Sequence, residues 1–363
     1  LYITNSGNWG GASFALLNLV KNLPSDYKVF FLFPDKGAFS LNCEQDGFIC
    51  FYSRYYLSIW PPINKKKDLL LFIPRLIKNL IFNIFTFCKL IFIILKTKPD
   101  IVHTNVGPLI FPFYACKITK VKHIWHLREY QDLDFKMNVF PSKKYFKKIL
   151  NSMNTFPICI TKDIRKHFEL RNTVEVVYDA VIDLKKTTKP IIKKNKEPFI
   201  LFVGRIEDAK GVTELINVFI NLIKLDAIDD KINLKLAGTY KSDFYSFLNE
   251  KILLNNVQNR IEFLGFRADR YQLMSNAIAT IVPSYNEGFG FITAEAMFNG
   301  CLVIGRNTAG TKEQFDKGFQ LKHNEIGIRY NTSDELFSEL ERTCNNQLKN
   351  IYKMLQDAQD TVC

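Results

Sequence analysis

The sequence predicts an α/β chain of two doubly wound domains, each a parallel sheet with helices on both faces. Three observations predict it. Short apolar runs recur along the chain and are continuous rather than alternating, as expected of strands covered on both sides. Segments of helical period lie between them, such as GASFALLNLVKNL from residue 11 and VTELINVFINLIK from residue 212. A stretch with six lysines and two prolines, DLKKTTKPIIKKNKEP at 183–198, breaks the pattern and reads as a linker. The domains are then residues 1–182 and 183–363. A length of 363 residues suits two cores better than one.

The elements follow in order. LYIT, KVFFLF, DIVHT, HIWHL and FPICI are the expected strands of the first domain. FILFVG, INLKLAG, IEFLG, ATIVPS and CLVIG are those of the second. One segment, 65–98, stands apart. Arg75, Asn79, Asn83 and Thr86 recur there at helical spacing, with Lys78 and Lys89 near the same side, and the remaining surface is Leu, Ile and Phe. Its longest uncharged run, 79–88, is too short to span a bilayer. Such a helix either lies in a membrane interface or packs as a core helix between the sheet and its neighbours.

Composition sets limits. The chain is 47% hydrophobic and 23% charged, which is globular rather than disordered. Eight cysteines without a CxxC pair argue against a disulfide framework and a zinc site, and favour a reducing cytoplasm. His123 and His126 sit three apart on a strand and point to opposite faces, so they cannot share a metal. The chain starts without Met inside a strand and stops inside a helix, so both ends read as trimmed. Residues 1–182 hold 25 Lys and Arg against 13 Asp and Glu, net +12; residues 183–363 hold 24 against 23, net +1. The basic half either faces an anionic partner or serves solubility.

The chemistry concentrates in PSYNEGFGFITAEAMFNG, 283–300, read as strand end, loop and helix. Gly288 and Gly290 let backbone approach a ligand, and the first N–H groups of the helix suit a diphosphate. Glu295 lies in an apolar helix with Phe291, Ala294 and Phe298 on its stripe. No nearby residue in the sequence is an evident cationic partner. It either pairs with a distant Arg or Lys or accepts two ligand hydroxyls, as acidic residues hold a ribose. Glu287 is either an exposed loop charge or a group beyond the phosphates. FILFVGRIEDAKGVTELINVF, 199–219, places Arg205 and Lys210 in a second loop at a strand end, where both suit phosphate oxygens.

Together FVGRIEDAKGVTEL and PSYNEGFGFITAEAM resemble the retaining family-4 glycosyltransferases, closely in the second half and more loosely in the first. The resemblance implies a GT-B architecture, two Rossmann-like domains facing across a cleft. Arg205 and Lys210 would grip the diphosphate of a sugar nucleotide. Glu287, with the backbone of Gly288, Phe289, Gly290 and Phe291, would meet the donor sugar, and Glu295 its ribose. In the first half, Gly10 and Gly11 of GNWGGASF match the glycine-rich loop under the donor phosphates. His126 of HIWHLRE stands where the family often has a histidine near the donor sugar. His103 of PDIVHTN matches a strand-end histidine, with Asn105 in place of a second one; it reads as a hydrogen-bonded structural residue. Asp179-Ala180 departs from the family's usual Asn-Gly.

The expected reaction is therefore sugar transfer from a nucleoside-diphosphate sugar to a hydroxyl, with retention, no metal or other cofactor, and no covalent nucleophile. The expected acceptor is a lipid-linked glycan of capsule, O-antigen or exopolysaccharide assembly, reached from the cytoplasmic face of a bacterial membrane. Partners are then the donor, that acceptor and an anionic membrane surface; no nucleic acid is expected. A membrane glycolipid synthase, a nucleotide-sugar epimerase and a non-catalytic assembly scaffold are the alternatives. A nicotinamide oxidoreductase is disfavoured, because no GxGxxG follows the first strand.

Overall fold

The computed structural model describes residues 1–63, 65–181 and 187–363. The chain divides into two compact units, Leu1–Ala180 and Val181–Cys363. The expected boundary at 182/183 and the start of the lysine-rich linker lie outside the described residues.

Thirteen strands are described: β1 (Tyr2–Ile3), β2 (Phe30–Phe33), β3 (Ile49–Tyr52), β4 (Ile101–Asn105), β5 (Lys122–Leu127), β6 (Thr155–Cys159), β7 (Glu175–Val176), β8 (Glu197–Val203), β9 (Asn233–Ala237), β10 (Ile261–Gly265), β11 (Ala277–Val282), β12 (Leu302–Arg306) and β13 (Ile328–Tyr330). The first sheet runs β3-β2-β1-β4-β5-β6-β7 and the second β10-β9-β8-β11-β12-β13. Every pair within them is parallel. Both units are thus Rossmann-like, as expected.

The continuous apolar runs have the expected cause. In β2, Phe30 and Leu32 join one core cluster while Phe31 and Phe33 join another. In β8, Ile200 and Phe202 face one cluster and Phe199 and Leu201 the other. Each such side chain contributes about 1.5–3 kcal/mol on full burial. All ten expected strands are present. The three that sequence did not suggest, β3, β7 and β13, are sheet edges of two to four residues. An edge strand is covered less completely and needs no long apolar run.

Strand order reverses between β1 and β4 in the first sheet, and between β8 and β11 in the second. Chain leaving the carboxyl ends of these strands opens a crevice, the usual ligand position in open α/β sheets. The Gly10/Gly11 loop follows β1, the Arg205/Lys210 loop follows β8, and the Glu287 loop follows β11.

Segment 65–98 forms a short helix, Lys66–Leu70, and a long one, Phe72–Thr97. Its polar stripe exists but turns toward the protein. Asn83 bonds the backbone of Tyr56 in both directions, at 2.9 and 3.0 Å. Thr86 reaches the Arg54 carbonyl (2.9 Å) and the Ser53 hydroxyl (2.7 Å), and Lys89 donates to the Tyr52 carbonyl (2.7 Å). Arg75 pairs with Asp68 at 2.9 Å, and the Lys78 ammonium lies 5.2 Å from the centre of the Tyr56 ring. Leu90, Ile93 and Ile94, near the C-terminal end, enter the core. Ile73, Ile77, Ile81, Ile84, Phe85 and Phe92 are exposed, the last three each above 60%. This is not the core helix of the second expectation: only part of one face is buried. By length and composition alone the helix is long and apolar enough to cross a bilayer.

Candidate functional site

In the second unit the loops after β8 and β11 meet. Gly211 has φ +71°, and a Cβ there would lie 2.1 Å from the Pro283 carbonyl oxygen. Only glycine permits that approach. The Tyr285 N–H reaches the Ala209 carbonyl at 3.4 Å. Across this junction the Lys210 ammonium donates to Glu287 Oε2 at 2.7 Å. The Glu287 carbonyl accepts from Gly310 N–H at 2.8 Å, which fixes the loop against the helix Ala309–Lys322. Arg205, half-exposed on the same edge, lies 3.1 Å from Glu207.

Gly288 is partly exposed and leads to Phe289, whose ring is buried and meets Phe291 edge to face at 5.2 Å. Of Phe289 only the backbone is therefore available to a ligand. Gly290, at φ +90°, caps the helix Phe291–Phe298 in a left-handed conformation. The Gln314 amide donates to the carbonyls of Phe289 (2.6 Å) and Gly290 (3.0 Å) and sets the direction of that helix start.

Glu295 is 6% exposed and does have a cationic partner. Arg270 donates to it twice, Nε to Oε2 at 3.2 Å and Nη2 to Oε1 at 3.0 Å, and the Tyr271 hydroxyl adds a third bond to Oε1 at 3.0 Å. This is the distant-arginine alternative, since no residue near Glu295 in the sequence supplies the charge. Arg270 opens the helix Arg270–Asn276, 25 positions upstream, so neither helical nor strand spacing reveals it. The bond to Glu295 holds the Arg270 guanidinium above its ordinary pKa. Burial, ahead of the Glu295 charge, raises the Tyr271 hydroxyl. A carboxylate has about four acceptor positions, so Oε2 keeps capacity for another donor.

In the first unit Gly10 precedes the helix Gly11–Lys21 in extended backbone, and a Cβ there would meet nothing within 4 Å. Open space, not packing, surrounds this glycine. The Gly10 N–H donates to the Ser13 hydroxyl at 2.7 Å. Beyond β4 and β5 a buried polar cluster forms. His103 and His126 lie on these adjacent strands with ring centres 5.4 Å apart. Arg128, 5% exposed, spends all three nitrogens there: Nε donates to Asn105 Oδ1 at 2.8 Å, Nη1 pairs with Asp179, and Nη2 faces His126 Nδ1 at 3.3 Å. Asn105 Nδ2 in turn reaches the Ala12 carbonyl at 3.4 Å.

This geometry assigns the His126 tautomer. A guanidinium only donates, so Nδ1 accepts and the proton of the neutral ring sits on Nε2. Burial, then the Arg128 charge, pushes the His126 pKa well below 6.5. His126 is therefore a neutral donor through Nε2, which has no partner among the described residues. His103 Nε2 also lacks one, at odds with its expected hydrogen-bonded role, and burial followed by Arg128 lowers that ring to about 3. Burial raises the Asp179 carboxyl despite Arg128 beside it. Asp179, which departs from the expected Asn-Gly, is thus the counter-ion of Arg128. Sequence reading missed Arg128, Arg270 and Tyr271, and marked Asp179 only as a departure from Asn-Gly. The one available signal was Arg128, two residues past His126 at the end of a strand.

Residues 184–357 match the family model described as glycosyl transferases group 1. Over 315 residues the chain is 24% identical to the UDP-Gal:alpha-D-GlcNAc-diphosphoundecaprenol alpha-1,3-galactosyltransferase of Escherichia coli, covering 78% of this chain and 80% of that one. It is 28% identical over 209 residues to an uncharacterized glycosyltransferase of Methanocaldococcus jannaschii, covering 56% of this chain and 54% of the relative. A second protein of that organism is matched over 32% of its length, at 30% identity. The chain thus spans about half or less of these two relatives. Among solved structures, Anabaena HepE in complex with UDP superposes with a TM-score of 0.76 at 20% identity, covering 99% of this chain and 93% of that one. WaaG, a glycosyltransferase involved in lipopolysaccharide biosynthesis, gives 0.63 at 12% identity, with 99% and 94% covered. These likenesses establish the fold, that of the GT-B glycosyltransferases.

Proposed function

We propose that the protein is a retaining, family-4-type glycosyltransferase that moves a sugar from a nucleoside-diphosphate donor to a hydroxyl of a lipid-linked glycan, in surface-polysaccharide assembly at the cytoplasmic face of a membrane. The observation that carries this reading is the junction of the β8 and β11 loops. It brings Lys210, Glu287 and the helix start at Gly290 to one sheet switch point, with Arg205 on the same edge. Two cations and the first N–H groups of a helix there suit a departing diphosphate.

The chemistry follows from the residues. Diphosphate oxygens compete with Glu287 for the Lys210 ammonium, which frees the Glu287 carboxylate for hydroxyls of the donor sugar. Glu295, held rigidly by Arg270 and Tyr271, offers Oε2 to the ribose. His126 acts as a neutral donor toward the sugar rather than as a base, because its free nitrogen carries the proton. The acceptor hydroxyl attacks the anomeric carbon on the face the diphosphate leaves, and a departing phosphate oxygen takes the proton. The cations supply the charge stabilisation, so the mechanism requires no metal. The Escherichia coli relative named for a diphosphoundecaprenol substrate supports the lipid-linked acceptor, and the outward apolar helix Phe72–Thr97 supports work at a bilayer.

Calorimetry with a panel of sugar nucleotides and nucleoside diphosphates tests the site. Replacing Arg205 or Lys210 by Ala is expected to weaken binding of the recognised nucleotide by about 2–4 kcal/mol, since phosphate charge is left uncompensated. Unchanged affinity in both variants would sink the assignment.

A further inference from the structure

A cavity of about 350 Å³ lies within the first unit, outside the cluster around His126. Trp60, Gln131, Asp132, Met137, Lys143 and Phe168 are among its walls. We infer that this cavity binds a neutral sugar residue of the acceptor, a proposal that rests on the glycosyl-transfer reading above.

Four observations carry it. Gln131 is 2% exposed, and its side-chain oxygen has no hydrogen-bond partner among the described residues. It also stands at φ +72°, a conformation non-glycine residues rarely adopt. A strained, buried and unsatisfied carbonyl is costly to keep, and strain of this kind gathers at ligand sites. What the oxygen lacks is a donor, which a sugar hydroxyl or acetamido N–H supplies.

The charged wall selects against anions. Lys143 pairs with Asp132 at 2.5 Å, and the other Asp132 oxygen meets His167 Nε2 at 2.8 Å. Burial outweighs Asp132 and keeps the His167 pKa below 6.5, so the trio is close to neutral at pH 7. With Lys143 compensated and Gln131 offering an oxygen, a phosphate finds no net attraction, whereas hydroxyls find both acceptors and donors.

Trp60 adds apolar ring surface to the wall, with the Phe140 ring edge to face with it and ring centres 4.7 Å apart. Its indole stacks on Phe72 with ring centres 5.9 Å apart and planes 10° from parallel. Phe72 is the first residue of the helix with the outward apolar face. A glycan whose lipid rests against that helix therefore has its sugars beside the cavity. Gln131 also stands five positions beyond His126 on the chain leaving β5, so cavity and proposed reaction site share one sheet edge.

The test uses the whole chain and soluble p-nitrophenyl α- and β-glycosides of glucose, galactose, mannose, N-acetylglucosamine and N-acetylgalactosamine. Saturation-transfer NMR is expected to show at least one glycoside binding saturably. Gln131→Met and Trp60→Ala should each weaken it at least tenfold, with the urea midpoint read alongside so that an unfolded variant is set aside in favour of the other. Inorganic phosphate should not compete. Absence of any saturable glycoside, unchanged affinity in a folded variant, or displacement by phosphate overturns the proposal. The two readings fail separately. Glycoside binding without transfer from any donor would remove the enzyme and keep the cavity. Transfer with an acceptor KM unaffected by Gln131→Met would do the reverse.

Discussion

Glu287 and Glu295 are both carboxylates held by cations, but the bonds differ in kind. The Glu287 carboxylate is held by the Lys210 ammonium and sits on a partly exposed loop. Glu295 has three bonds from Arg270 and Tyr271 inside a buried helix face. The first is suited to exchange partners and the second to stay fixed. Glu295→Gln should therefore weaken the nucleotide about tenfold or more and also lower stability by about 1–3 kcal/mol, because Arg270 loses a charged acceptor. Glu287→Gln should lower turnover with a smaller loss of nucleotide affinity and little change in stability. Calorimetry, turnover and urea unfolding on the two variants separate these effects. Wild-type affinity and turnover in both would make the pair structural.

At the scale of elements, the helix Phe72–Thr97 has its amphipathicity reversed relative to a soluble surface helix. Its polar stripe is consumed by hydrogen bonds to residues 52–56, and its apolar stripe points outward. An exposed apolar stripe of this length needs a cover, and a bilayer interface provides one. Arg75 and Lys78 are engaged within the protein, so the lysines at the head of the segment are the better candidates for lipid headgroups. Each contributes about 1 kcal/mol near an anionic surface. Sedimentation with vesicles should show binding that falls with salt but persists in part, since insertion is not screened. Ile84→Glu with Phe85→Ser should remove the salt-resistant part, and Lys66→Gln with Lys67→Gln the salt-sensitive part. If the wild-type protein stays in the supernatant with anionic vesicles at low salt, the membrane reading falls.

Across the whole molecule the two units differ in charge and in acid response. The first carries the basic excess, the three tryptophans and four of the five histidines. Burial lowers His103 and His123 to about 3 and His126 well below 6.5. In the unfolded chain these rings titrate near 6.5. As pH falls through 6.5 toward 3, the unfolded state takes up protons that the folded state refuses, so stability declines over that window. Asp179, raised by burial, works in the opposite direction as a single group. Urea midpoints read by tryptophan fluorescence, which reports on the first unit, are therefore expected to fall between pH 7 and pH 5, above the usual range of carboxylates. A constant midpoint across that interval would contradict the buried neutral histidines.

The sequence by itself determined ten strands, the two-unit α/β architecture, the placement of Arg205, Lys210 and Glu287 in loops at strand ends, and that of Glu295 in the helix that follows. These are local properties: continuous apolar runs report burial on both faces, and glycine-bearing loops report where backbone turns tightly. Tertiary structure alone decided which charges meet. Arg270 reaches Glu295 across 25 positions, Lys210 reaches Glu287 across 77, and Arg128 reaches Asp179 across 51. No period encodes such spacings. Tertiary structure also decided the orientation of the helix Phe72–Thr97. A periodic pattern shows that a helix has two unlike faces, but it cannot say which one turns inward. That depends on what the neighbouring chain offers, and residues 52–56 offer backbone carbonyls and N–H groups that only the polar stripe can satisfy.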